Sequence, residues 1–151
     1  NVYGPGQQLY RIIPRTILFI KTGRKLQLHG GGKSLRSFIH IGDVSEATLK
    51  ILTEARSPEV YHLSTDQHVS IRELVELICR RMGASFEELV EISPDRPGKD
   101  AAYLLDCAKA HNEFDWKPKV SLEEGLDETI SWVEDNYDDL SKEPMEYQHK
   151  E

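Results

Sequence analysis

Five basic side chains stand beside glycine or proline in stretches that read as loops. Arg11 precedes "IIP", Lys33 and Arg36 follow a run of three glycines, and Arg96 and Lys99 sit within "DRPGKD" at 95–100. Guanidinium donors match phosphate oxygens in a bidentate fork, so a fold that brought Arg11, Arg36 and Arg96 together would hold a doubly charged phosphate ligand. Alternatively, each is a solvated surface charge or pairs locally, as Arg96 could with Asp95, and exposed pairs contribute little. Spacing alone favours the surface-charge reading. Within "DRPGKD" the proline presets φ and the glycine permits positive φ, which accounts for a turn but not for the four charges around it.

Other chemistries fail on spacing. "GGKS" at 31–34 resembles the tail of a phosphate-binding loop, but the earlier glycine that motif needs falls at Gln27. "GPG" at 4–6 lacks the third glycine of a dinucleotide fingerprint and the βαβ unit around it. The six histidines show no HExxH and no short pairing with cysteine, so no metal site is expected. Serine, histidine and aspartate occur without a nucleophile elbow.

The elements that must position the basic residues alternate between helix and strand. Pro14 suits the start of a helix over 14–22 that stops at Gly23, and "KLQLH" reads as a strand near 26–29 before the glycine turn. "SFIHI" (37–41) is a second strand. Asp43, with Glu46 three residues on, reads as the cap of a helix over 43–54. "EVYHLS" (59–64) reads as a third strand and 103–105 as a fourth. Ser70 with Glu73 and Ser121 with Glu124 repeat the capping signature ahead of apolar stripes at 71–82 and 121–135. Such alternation predicts α/β architecture. Trp116 and Trp132 read as packing residues.

Composition bounds the rest. The 151 residues fit one domain or a large part of one, and 38% hydrophobic content at a net charge of −7 reads as globular. That acidic balance, with a run around Glu134–Asp139, argues against nucleic acid as a partner. No apolar run of about 18 residues predicts a membrane span. Two cysteines, Cys79 and Cys107, are expected to be reduced thiols in a cytoplasmic protein. The chain opens on Asn1 in a turn motif, so its true N-terminus is expected elsewhere. Residues 1–136 are expected to form the folded unit, and 137–151 an acidic, flexible tail.

Five blocks in order carry a family resemblance: "NVYGPGQ" with "RIIPRTI", "GRKLQLHGGGKSLRSFIHIGDVSEA", "DRPGKDAAYLLDCAKA" and "FDWKPKVSLEEGLDETISW". Over roughly 130 residues the chain resembles the C-terminal, substrate-binding part of the extended short-chain dehydrogenase/reductases that act on nucleotide sugars, the NAD-dependent epimerase/dehydratase family. It looks most like the nucleotide-sugar 4,6-dehydratases, the dTDP-glucose 4,6-dehydratase group in particular. The 4-epimerases and UDP-glucuronate decarboxylases share much of the pattern.

The resemblance implies roles. Asn1 matches the asparagine that lies against the sugar diphosphate, and Arg11 and Ile12 match the segment that wraps the nucleotide. Gln27, Leu28 and His29 match the strand along the base. His29 stands where a tyrosine is usual, which leaves the base open. Arg36 matches the diphosphate clamp; Arg96 and Lys99 match the loop that closes over the nucleotide, with Asp95 holding that loop or contacting ribose. Family members carry a glycine-rich NAD loop and a Tyr-x-x-x-Lys pair upstream, in a Rossmann part. Neither is in this chain, so no catalytic residue is assigned here. The resemblance implies a homodimeric enzyme that oxidises the sugar at C4 with NAD, eliminates water across C5 and C6, and returns hydride at C6. This chain would supply nucleotide-sugar binding and not turn over alone. A reading of another class is a non-catalytic nucleotide-sugar-binding module.

Overall fold

The computed structural model describes residues 1–95, 98 and 100–146. In chain order it has β1 (Val2–Tyr3), α1 (Ile12–Thr22), β2 (Leu26–His29), a 3-10 turn at Gly30–Gly32, β3 (Leu35–Arg36), β4 (Ile39–His40) and α2 (Ile41–Glu54). There follow β5 (Val69–Ser70), α3 (Ile71–Met82), α4 (Phe86–Leu89), β6 (Val90–Ser93), β7 (Ala102–Tyr103), α5 (Ala108–Phe114), α6 (Leu122–Asp135) and α7 (Tyr137–Leu140). The strands form three small sheets. β1 lies parallel to β4, β2 lies parallel to β6, and β3 sits between antiparallel β5 and parallel β7.

Helices α1, α3 and α6 bury one apolar core. Ile17, Leu18, Leu74, Val75, Ile78, Leu126 and Val133 are fully enclosed in it, each contributing about 1.5–3 kcal/mol by leaving water. The ends are set by sequence. Ser70 and Ser121 each close a reciprocal box with Glu73 and Glu124, and Gly23 and Gly83 end α1 and α3 in the left-handed region. A second cluster, Ile39, Ala47, Ala110, Phe114 and Trp116, joins α2 to α5.

Four expectations change. α1 starts at Ile12, ahead of Pro14, because a proline anywhere in the first turn gives up only an N–H that has no helical partner. Asp43 is not the cap of α2. His40 holds that position and accepts from the Gly42 N–H, while the buried Asp43 carboxylate accepts from the N–H groups of Lys119 (3.0 Å) and Val120 (3.1 Å), pinning the entry to α6. Glu46 pairs with Lys119 Nζ at 2.7 Å instead of closing a box. The segment 59–64 is not a strand. Among the described residues no strand lies beside it to share a ladder, so Tyr61 and Leu63 pack on the second cluster while Val60 stays exposed. The tail expected from 137 onward packs over its described part. Tyr137 and Leu140 lie against the main core and Met145 is only 6% exposed within it, because three apolar side chains offset the acids around them.

Candidate functional site

A cleft of about 900 Å³ opens between the N-terminal turn of α1, strand β2 and the segment from Arg36 to Phe38. Its walls include Asn1, Gln7, Gln8, Tyr10, Arg11, Ile12, Arg15, Gln27, Leu28, His29 and Arg36. Seven residues expected from sequence to contact ligand therefore share one cavity: Asn1, Arg11, Ile12, Gln27, Leu28, His29 and Arg36. Among the described residues no aspartate or glutamate lines it, in a chain that carries 26 of them.

Backbone pairing places Asn1. Its carbonyl accepts from the Ile39 N–H at 2.9 Å, and its side-chain amide donates to the Ser37 carbonyl at 3.0 Å. Arg11 and Arg36 line the same cleft as Asn1. Arg11 stands at the N-cap of α1, exposed, 5.2 Å from the Tyr10 ring centroid. Arg36 donates from Nη1 to the Leu35 carbonyl (2.6 Å) and from Nη2 to the Asp100 carbonyl (2.9 Å).

The β2 wall follows from strand alternation. Leu26 and Leu28 are buried, at 2% and 3% exposure, while Gln27 and His29 turn outward. Gln27 donates to Glu91, its register partner on β6. The His29 ring is anchored by Nδ1, 2.8 Å from Ser93 Oγ and 3.3 Å from the Pro94 carbonyl. Leu28 offers wall and no polar side-chain contact.

Asp95 lies beside this wall and outside the cleft lining. Its carboxyl group sits over Gly30 so closely that a Cβ there would come within 2.5 Å of it, and Gly30 has φ +58, so only glycine serves at this turn. Arg96 and Lys99 lie outside the described residues.

Arg15, one turn beyond Arg11, escaped the sequence reading, as did Gln7. Arg15 lies over the Phe19 ring at 5.0 Å, and its Nε is buried without a hydrogen-bond partner among the described residues. A signal was available: α1 has no acid in its first turn and carries arginines at its positive end, where the helix dipole favours an anion. Among the described residues no three histidine, cysteine or acidic side chains converge as metal ligands, and no helix is long and apolar enough to cross a membrane.

A family model for GDP-mannose 4,6 dehydratase matches residues 1–129. The chain belongs to the GDP-mannose 4,6 dehydratase family. Among its curated relatives, the dTDP-D-glucose 4,6-dehydratase of Mus musculus is 37% identical over an alignment of 142 residues that covers 91% of this chain and 40% of the relative. A solved dTDP-glucose 4,6-dehydratase from Bacillus anthracis, in complex with NAD, matches with TM-score 0.84 at 34% identity, over 91% of this chain and 43% of that one. The UDP-glucose 4-epimerase of Thermotoga maritima, with UDP-glucose, matches with TM-score 0.84 at 28% identity, over 91% and 44%. The chain spans about two fifths of the length of the curated relatives it matches. Its α/β architecture is that of the C-terminal part of an extended short-chain dehydrogenase/reductase, as members of the GDP-mannose 4,6 dehydratase family are.

Proposed function

We propose that the cleft binds a nucleotide sugar through its diphosphate, and that the full-length protein is an NAD-dependent nucleotide-sugar 4,6-dehydratase of the dTDP-glucose type. One observation carries this reading: Arg11, Arg15 and Arg36 line a single cavity that has no acidic side chain among the described residues, in a chain of net charge −7. An acidic protein that clears one cleft of acids and sets guanidinium groups around it is arranged for an anion. The relatives from Mus musculus and Bacillus anthracis give that anion its class.

In this reading Arg11 and Arg36 hold phosphate oxygens, Asn1 lies beside them, and Gln27, Leu28 and His29 flank the base. Asp95, Arg96 and Lys99 belong to the loop over the nucleotide. The unit runs from Asn1 to about residue 136, with α7 and Met145 packed against it. The residues here do not fit NAD. Among the described residues no glycine-rich turn joins a strand to a helix in a βαβ unit, and no tyrosine has a lysine four positions later. We therefore assign the cofactor to another part of a homodimeric, cytoplasmic enzyme.

Calorimetric titration of the full-length protein with TDP and thymidine tests the reading, because only the diphosphate engages the arginines. Tight binding of TDP and loss of one water from dTDP-glucose to a 4-keto-6-deoxy product are the expected results. Equal affinity for TDP and thymidine would overturn the clamp. A C4-inverted sugar as product would make the protein a 4-epimerase.

A further inference from the structure

Between β3 and β4, Arg36 and Phe38 line the cleft while the residue between them, Ser37, is buried at 3% exposure. Ser37 is held on two sides. Its carbonyl accepts from the Asn1 side-chain amide at 3.0 Å, and its hydroxyl lies 2.8 Å from Nδ1 of His68, an exposed residue 31 positions along the chain. Among the described residues that hydroxyl has no other acceptor, so Ser37 Oγ donates and His68 Nδ1 accepts. This bond extends a sheet. β3 and β5 run antiparallel with Leu35 opposite Ser70 and Arg36 opposite Val69, so the same register sets Ser37 opposite His68, one step past the backbone ladder. On its other side β3 pairs with β7 over the same two residues, and neither ladder reaches Ser37.

The Arg36 guanidinium is held at its tip by the carbonyls of Leu35 and Asp100, but the strand that carries it is two residues long and Ser37 stands at its open end. We propose that His68 is a positioning residue for the diphosphate clamp: through Ser37 it pins the end of β3 and so fixes Arg36 and Asn1 relative to one another, without touching ligand. This inference rests on the nucleotide-diphosphate reading of the cleft. Arg36 adjoins Ser37 in the chain and Asn1 is bonded to its carbonyl, so losing the His68 bond loosens both groups at the phosphate corner together. Gln27, Leu28 and His29 are held by their own ladder with β6 and stay in place. His68 does not line the cleft, so its effect on binding passes through Ser37.

The test is titration of the full-length protein with TDP and thymidine, for the native sequence, His68→Ala, His68→Asn, Ser37→Ala and the double variant with alanine at both positions. The native protein should prefer TDP. His68→Ala should weaken TDP about five-fold, the scale of one neutral hydrogen bond, and leave thymidine unchanged. His68→Asn, whose Oδ1 stands as many bonds from the backbone as the lost Nδ1, should bind TDP as the native protein does. Ser37→Ala should match His68→Ala, and the double variant should lose no more than either, because all three break the same bond. Thermal melting checks each fold; should Ser37→Ala melt early, the two variants at exposed His68 decide the matter alone. A TDP affinity that survives His68→Ala, equal losses for TDP and thymidine, or an asparagine variant as weak as the alanine one overturns the positioning role and leaves the diphosphate clamp standing. A native protein that binds TDP no better than thymidine removes the clamp and this inference together.

Discussion

Arg36 donates through Nη2 to the carbonyl oxygen of Asp100 at 2.9 Å, so a guanidinium on the cleft wall also ties β3 to the backbone at Asp100. The same group donates through Nη1 to the carbonyl of Leu35. Those two bonds hold the fork in place from one edge and leave its remaining donors for a ligand.

Arg36→Ala in the full-length protein should therefore weaken TDP binding by about 1.5–3 kcal/mol, the range for a hydrogen bond to a charged group. Arg36→Lys should restore only part, because a point charge does not reproduce the fork. Arg56→Ala, just beyond α2 and outside the cleft lining, should leave binding unchanged. Calorimetry with TDP and thymidine separates ligand contact from support of the fold. Losses confined to TDP are expected; equal losses for both would show that Arg36 holds the structure and not the phosphate.

Tyr3 fixes the turn that presents Asn1 and Gln7. Its ring is 1% exposed, and its hydroxyl donates toward the carbonyls of Leu122 (3.3 Å) and Ser121 (3.4 Å) at the start of α6. Gly125 makes the approach possible, since a Cβ there would come within 2.2 Å of that oxygen. Gly125→Ala should cost about 1–3 kcal/mol, as overpacking does. Tyr3→Phe in the same chain should recover part of it by removing the clashing oxygen. Urea denaturation of the two single variants and the double variant gives the coupling; strictly additive losses would mean that the two side chains do not meet.

Most of the architecture was legible where a local device sets it. The boxes at Ser70 and Ser121 and the glycine stops at Gly23 and Gly83 are short-range chemistry, so α3, α6 and the end of α1 could be read directly. Asp43 was misread because its partners, the N–H groups of Lys119 and Val120, lie far along the chain, and an aspartate ahead of an apolar stripe looks the same in either role. The segment 59–64 has strand composition, but a strand is a relation between two segments, and composition does not supply the second. In the site, the family motifs singled out Arg11 and Arg36, whereas Arg15 and Gln7 sit in the same cleft through the turn of α1 and the fold of β1.

Both cysteines should be inert in the native state. Cys79 and Cys107 are 2% and 5% exposed and unpaired, and burial raises both thiols above their ordinary value. The thiolate is the reactive form, so both access and ionisation oppose reaction. Ellman's reagent should label the native protein slowly at these two positions and rapidly in urea; fast stoichiometric labelling in native buffer would show that the structure around them opens readily.

The two capping boxes should govern the acid limb of stability. The Glu73 carboxyl is held below its ordinary value by the N–H of Ser70 and then by its hydroxyl, and the Glu124 carboxyl by the hydroxyl of Ser121 and then by its N–H. A carboxyl whose pKa is lower in the folded state favours folding when ionised. Its contribution is complete above the ordinary glutamate value of 4.5 and is lost as pH falls from there through the lowered folded values. Asp127, held low by Arg81, acts with the same sign just below, from its ordinary value of 3.8. Melting temperature should therefore be nearly flat from pH 7 to about pH 5 and fall below that. Glu73→Gln with Glu124→Gln keeps an acceptor for each N-cap N–H and removes the titration, so this double variant should melt slightly lower at pH 7 and descend less steeply between pH 4.5 and 3. An acid limb unchanged by the double variant would assign acid unfolding to carboxylates elsewhere and leave the boxes as neutral caps.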